Sequence, residues 1–395
     1  MKKLVLFGAG KIGRSFIGQL FSRAGYEVVF IDISETVINE LNRRTEYQVI
    51  IKSAQPDTVL KITNVRGVLA TDKEKVAVEV SEANIAAVSV GQRGLPQVIS
   101  NIAKGLELRQ RKYGNLPLDI ILAENMHNAD EYVGEILAGI MQPGFPLRSL
   151  VGLIETSIGK MVPIMPQEVQ QKDPLLVYAE PFNTLILDKM AFRNPVPEVA
   201  GLAPKENMKA WVDRKSHIHN FGHVAGAYRG FREYPEIKLL ADLLEIRSLK
   251  EFTRNSMLQS ADILMKKYPG EFTPADLTEH IDDLLSRFCN RSLGDTVFRV
   301  GCDLKRKLYR SDRVLGPLID GIQLNSPVSY ILETFINGLE FRATDETGKQ
   351  YPGDVEFSET LNNKGLEYVI FNICGLDRYQ DRDVAGEILN AADHT

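Results

Sequence analysis

Four consecutive apolar residues, Leu4-Val5-Leu6-Phe7, lead into Gly8-Ala9-Gly10-Lys11-Ile12-Gly13-Arg14 and then into apolar positions at Phe16, Ile17, Leu20 and Phe21. That order predicts a buried strand, a glycine-rich turn and a helix, which Gly25 closes. Tyr26–Ile31 reads as a second buried strand ending at Asp32, and Ser34 caps the helix carrying Val37, Ile38 and Leu41. Tyr47–Ile51 and Val59–Val65 look like extra strands in a hairpin-like insertion. Asn84–Val90 and Leu118–Ala123 are further buried runs, with helices predicted at Pro96–Leu106 and Ala129–Ile140. Val151–Ile154 and Val177–Glu180 are expected to extend the same sheet. From about Pro197 the pattern turns helical: Leu239–Phe252, Met257–Tyr268, a Thr273-Pro274 start leading through Leu277 to Phe288, Leu315–Gly338, and a last short helix at Ala385–Leu389. Residues 343–353 read as an exposed acidic loop. The expectation is an α/β domain over residues 1–196 followed by a mainly α-helical domain over 197–395, with the site between them.

Gly8, Gly10 and Gly13 form a G-x-G-x-x-G fingerprint in the setting it requires, between a strand and a helix. Gly8 would make the tight turn, Gly10 admit a pyrophosphate, and Gly13 let helix and strand pack closely. The fold class is therefore Rossmann-type, with Gly8, Ala9, Gly10, Lys11, Ile12, Gly13 and Arg14 as candidate cofactor-binding residues at a helix amino terminus. Asp32 stands 24 residues after Gly8 at the end of the second strand. A carboxylate there accepts from ribose hydroxyls and repels a 2′-phosphate, so NAD is expected over NADP. Val90 and Gly91, where the next strand ends, are expected beside the nicotinamide half.

Composition narrows the partners. A net charge of −5 with 25% charged residues argues against nucleic acid. The apolar run after Met1-Lys2-Lys3 is too short for a signal-peptide core and no stretch is long enough to span a membrane, so a cytoplasmic protein is expected. Cys289, Cys302 and Cys374 are widely spaced without a CxxC, which disfavours structural zinc and disulfides. A monomer or small homo-oligomer acting on a small molecule is expected.

A nicotinamide cofactor implies hydride transfer, and oxidising an alcohol needs a base and a partner for the alkoxide. The chain shows no HExxH and no Cys/His cluster, so no metal is expected; nor is there a Tyr-x-x-x-Lys pair in the dinucleotide domain. The segment Arg214-Lys215-Ser216-His217-Ile218-His219-Asn220-Phe221-Gly222-His223 places Asn220 five and His223 eight residues after Lys215. On an α-helix these lie at about 140° and 80° from Lys215, so all three could reach one cleft. Lys215 or a nearby histidine is the candidate base, Asn220 and Asn125 are candidate oxyanion donors, and His223 would hold a substrate hydroxyl. Asn125, just past a buried strand, could equally cap the following helix. The basic group Arg299, Lys305, Arg306, Lys307, Arg310 and Arg313 reads mostly as solvated surface, with Arg299, Lys305 and Lys307 as candidates for a substrate phosphate.

Lys215-x4-Asn220-x2-His223, together with Phe7-Gly8-Ala9-Gly10-Lys11-Ile12-Gly13-Arg14, resembles the polyol-specific long-chain dehydrogenases. The likeness runs through Glu124-Asn125-Met126, Met161-Val162-Pro163 and Arg299-Val300-Gly301, and covers nearly the whole chain. It implies a metal-independent enzyme with Lys215 as general base, Asn125 and Asn220 in the oxyanion hole, and a helical substrate domain. The implied reaction is oxidation of a sugar alcohol phosphate at a secondary hydroxyl. Hexuronate reductases and free mannitol dehydrogenases of the same group are the competitors, and a non-catalytic NAD-binding sensor is the remote one.

Overall fold

The computed structural model describes residues 1–53, 55–126 and 128–393; Ala54, His127, His394 and Thr395 lie outside the described residues. The chain divides into two compact units, Met1–Val212 and Asp213–Thr395.

The first unit holds eleven strands among its described residues: β1 (Lys3–Phe7), β2 (Glu27–Asp32), β3 (Glu46–Ile51), β4 (Thr58–Thr63), β5 (Val65–Leu69), β6 (Ile85–Val88), β7 (Leu118–Leu122), β8 (Val151–Ile158), β9 (Val177–Ala179), β10 (Leu185–Asp188) and β11 (Leu202–Lys205). Eight form one sheet in the order β11-β10-β8-β7-β6-β1-β2-β5. It is parallel from β5 to β8, and β10 then runs antiparallel to β8. Leu4, Leu6, Val28 and Phe30 enter one core, while Val5, Phe7, Val29 and Ile31 enter the other. Burial on both faces explains why the strands read as unbroken apolar runs. Each such side chain contributes about 1.5–3 kcal/mol.

Three strand expectations are corrected. The Val59–Val65 run breaks at Asn64, whose φ of 56° ends one strand and starts the next. β4 then pairs antiparallel with β3, whereas β5 crosses to β2. The Val177 strand does not extend the main sheet but joins β3, making a separate sheet in the order β4-β3-β9. Finally, β11 pairs with β10, so sheet structure continues past Pro197.

β1 lies between β6 and β2. The strand order reverses there, and an open α/β sheet offers its crevice at the carboxyl ends of such strands. Gly8, Gly91 and Asp32 all stand at those ends.

The second unit is helical. Phe221–Glu233 is central, with Phe221, Val224, Ala225 and Tyr228 fully buried. The helices Arg247–Lys267 and Pro274–Phe288 pack nearby, the second capped by Thr273, whose hydroxyl accepts from Asp276 N at 3.2 Å. Gly222 admits this packing: a Cβ there would lie 2.4 Å from Met257 Sδ. Residues 344–351 are a surface turn, and Pro352 and Gly353, expected in that loop, instead begin Pro352–Asn372, which forms two helical stretches broken at Gly365 (φ 81°). No described helix is long and apolar enough to cross a membrane.

Candidate active site

The glycine turn in the first unit leaves no room at two positions and open space at the third. Gly8 has φ 98°, and a Cβ there would lie 2.1 Å from the Ser89 carbonyl oxygen. At Gly13 a Cβ would lie 2.0 Å from the carbonyl oxygen of Gly8. A Cβ at Gly10 would meet nothing within 4 Å, so the backbone there is bare to an approaching group. The helix continues as a π-helical turn over Gly13–Gly18. Asp32 Oδ2 accepts from Ala9 N at 2.7 Å and Oδ1 from Ser34 N at 2.9 Å, tying the carboxylate to the turn. Lys11 is exposed and Ile12 half-buried. Arg14 is held inward: it is buried, and its Nη1 donates to the Pro174 carbonyl at 2.6 Å.

Beyond β6, Gly91 has φ 79°. Glu124 Oε1 accepts from Val90 N at 2.7 Å and Gly91 N at 3.1 Å. Glu124, which the spacing did not single out, thus fixes the shape of this turn. Asn125 follows it and is exposed. The residue at the cap of the helix Ala129–Ile140 is Asn128, so Asn125 does not cap it.

Glu155 on β8 stands opposite Leu122 at the end of β7. Burial, with Asp130 and Asp188 nearby, raises its carboxyl to about 7 against the N–H groups of Ala129 and Asn128. The folded chain therefore holds this proton more tightly than the unfolded one. The stabilisation is present below about pH 4.5 and lost as pH rises through about 7. Glu155→Gln is expected to raise Tm by a few degrees at pH 8 and to leave it unchanged at about pH 4, below the unfolded value of 4.5. Calorimetric scans at both pH values check this; an equal shift at both would assign the effect to packing.

In the second unit, Lys215–Asn220 is wound as a π-helix between the α-helices Met208–Arg214 and Phe221–Glu233. This changes the angular reading made for an α-helix. An i→i+5 hydrogen bond closes one π turn, which brings Asn220 close to the face of Lys215 rather than about 140° from it. Lys215 is half-buried, and its ammonium is depressed to about 8, chiefly by desolvation and then by Arg313, with Asp312 opposing. The histidines behave differently. Burial pushes His223 down to about 3, helped by Arg313, Arg299, Lys307 and Arg287, and holds His219 well below its ordinary value. Both are neutral, weak bases near neutrality, whereas Lys215 at about 8 can exchange a proton close to it, as can Lys307, lowered to the same value. The His223 ring stacks on Phe288 at 4.6 Å, and its Nε2 lies 3.2 Å from Asp295 Oδ2. Asp295 also pairs with Arg299.

The basic group divides in two. Lys305 pairs with Glu356 at 2.6 Å and Arg306 with Asp303 at 2.6 Å, toward the surface, and Arg310 reaches in to the buried Asp381 at 2.6 Å. Lys307 is buried, donates to the Val300 carbonyl at 2.6 Å, and is lowered to about 8 by desolvation first and Arg313 next. Arg313 is mostly buried, pairs with its neighbour Asp312 at 2.7 Å, and is the cation felt by Lys215, His223 and Lys307 alike. It sits in the basic group of the sequence, but nothing in the spacing separates it from its surface neighbours.

Asp213, His217 and Asp320 bring one ligand atom each within 4.8 Å of one another. Between the carboxylates lies an ammonium: Lys267 Nζ is 3.0 Å from Asp213 Oδ2 and 2.7 Å from Asp320 Oδ2.

Residues 2–201 match the model of the mannitol dehydrogenase Rossmann domain, and residues 207–368 that of the mannitol dehydrogenase C-terminal domain. Among solved structures, a Pseudomonas fluorescens mannitol 2-dehydrogenase, in a ternary complex with NAD and D-mannitol, is similar at 15% identity with a TM-score of 0.72. The match covers 99% of this chain and 91% of that one. A D-sorbitol dehydrogenase in substrate-free form is similar at 18% identity with a TM-score of 0.77, over 99% and 92% of the two chains. The two domain models together span most of the sequence, and the chain belongs to the mannitol dehydrogenase family, as a polyol oxidoreductase with a Rossmann-type domain.

Proposed function

We propose that the chain catalyses the reversible, NAD-dependent oxidation of D-mannitol 1-phosphate to D-fructose 6-phosphate. Within the family its motifs look most like those of mannitol-1-phosphate 5-dehydrogenase. Gly8, the bare backbone at Gly10 and the Asp32 carboxylate fit a dinucleotide, and a carboxylate at that position favours NAD. NAD would be held by the Gly8–Gly13 turn and Asp32 and would supply the acceptor for the hydride that leaves C5 of the sugar. Lys215, as the free amine, takes the C5 hydroxyl proton. Asn220 and Asn125 donate to the oxyanion, and His223 orients a substrate hydroxyl. No metal is used.

The observation that carries the phosphate reading is the shared cation Arg313, with Arg299 and Lys307, around His223 on the same unit as Lys215. A dianion would be favoured there, because charge-assisted hydrogen bonds are about twice as strong as neutral ones. Lys305, Arg299 and Arg313, paired with Glu356, Asp295 and Asp312, would each exchange that carboxylate for the phosphate.

A second reading is reduction of a free ketose or a hexuronate, favoured by the mannitol 2-dehydrogenase and sorbitol dehydrogenase likenesses. NADH oxidation measured side by side with fructose 6-phosphate, fructose, fructuronate and tagaturonate separates the two. Fructose 6-phosphate is expected to give the highest kcat/KM, and a preference for any of the other three would overturn the phosphate assignment. Arg313→Gln is then expected to raise KM for fructose 6-phosphate about 10- to 100-fold, the loss of one charge-assisted contact. KM for fructose should change less than about threefold, as no such contact is lost.

A further inference from the structure

The π-wound turn that carries Lys215 is gripped from behind by ion pairs that the proposed chemistry does not use. Asp213 and His217 stand two residues before and two after Lys215. Residues four apart on a helix share a face, and the one midway points to the opposite side. Asp213 Oδ2 accepts the Tyr268 hydroxyl at 2.6 Å and the Lys267 ammonium at 3.0 Å. The same ammonium donates to Asp320 Oδ2 at 2.7 Å, and that oxygen lies 3.5 Å from His217 Nδ1. The Ser260 hydroxyl, on the helix that carries Lys267, donates to the His217 carbonyl at 2.6 Å. Gly316 leaves the imidazole its room, since a Cβ there would lie 2.9 Å from His217 Nε2. These charges are largely sheltered, with Asp213, Asp320 and Lys267 side chains 13%, 15% and 28% exposed.

A π turn is rare inside an α-helix, is found frequently at functional sites, and persists where its surroundings hold it. We propose that Asp213, Lys267 and Asp320, with Tyr268 and His217, clamp this turn and act as positioning residues that keep Lys215 in its water-poor setting. The inference rests on Lys215 being the base. Desolvation is the largest cause of the low Lys215 pKa, so a clamp that keeps water out also sets the pH at which the base works.

The test is Lys267→Met, with Lys267→Arg as the conservative variant and Asp320→Asn as a second lesion that keeps the Lys267–Asp213 pair. Turnover is followed against pH with the polyol made from the best substrate of the four-sugar panel. Lys267→Met is expected to lower kcat about tenfold, with KM for NAD changing less than about twofold. The ascending limb should move above about 8, toward the ordinary lysine value of 10.5, as water reaches the amine. Asp320→Asn should move it in the same direction by less, and Lys267→Arg should restore both kcat and the limb. Should Lys267→Met fail to fold, the Asp320→Asn limb decides. Variants that melt earlier but keep the wild-type kcat and limb would make the network a stabilising one only. Full turnover in Lys215→Ala would instead sink the assignment of the base, so the two failures are told apart.

Discussion

Lys215→Ala is expected to lower kcat for polyol oxidation by about 10³-fold while leaving the dissociation constant for NAD within about twofold. A positioned general base contributes about 10²–10⁴-fold. Here the alternative bases are poor, because burial holds His223 at about 3 and His219 well below its ordinary value. The pH dependence follows from the free amine being the active form. Oxidation should rise as pH increases through about 8, where Lys215 loses its proton, and ketone reduction should fall through the same range, because it needs the ammonium. In Lys215→Ala both limbs should vanish from the residual rate. Steady-state rates in both directions from pH 6 to 10, with NAD titrations by fluorescence, check this. A residual rate that still rises through about 8 would assign the titration to another group, Lys307 first, since it is lowered into the same range.

Why this was partly readable from the sequence, and where it was not, comes down to what is local. The glycine turn, Asp32 and the buried strands around them depend on backbone conformation and on alternating faces, and both leave marks within a few residues. Asn64 shows the limit: one residue with φ of 56° splits an apolar run into strands of two different sheets, and asparagine is common enough in loops that nothing flags it. β9 follows the same logic, for its apolar run is satisfied by β3 as well as by the main sheet. The two stretches of Pro352–Asn372 change direction at Gly365, so no single apolar stripe runs along them. At the site, Lys215, Asn220 and His223 were visible as a spacing, but the π winding that turns Asn220 toward the face of Lys215 leaves no mark in it. The basic group is the clearest case. Six cations within 15 residues look alike until their carboxylates are known, and those lie at positions as distant as Glu356 and Asp381. Only the structure separates Arg313 from them.

The three glycines of the turn should fail in different ways, and that difference tests the coenzyme site without any assay of turnover. Gly13→Ala puts a methyl group 2.0 Å from the Gly8 carbonyl oxygen, a backbone atom that cannot move without lifting the helix from β1. That is overpacking at a backbone contact, with an expected cost of about 2–4 kcal/mol and a matching fall in the urea midpoint of the unliganded protein. Gly8→Ala meets the same obstacle from Ser89 and adds the strain of φ 98°. Gly10→Ala is different. Its Cβ meets nothing within 4 Å and its φ lies outside the left-handed region, so the unliganded protein should unfold at the wild-type midpoint. What the methyl group fills is the space a pyrophosphate would need, and NAD affinity should fall about 100-fold or more, the cost of losing backbone contacts to a charged group. Urea melts without coenzyme and calorimetric NAD titrations separate the two effects. A Gly10→Ala protein that binds NAD normally would move the pyrophosphate away from this turn, even with the family and the fold unchanged.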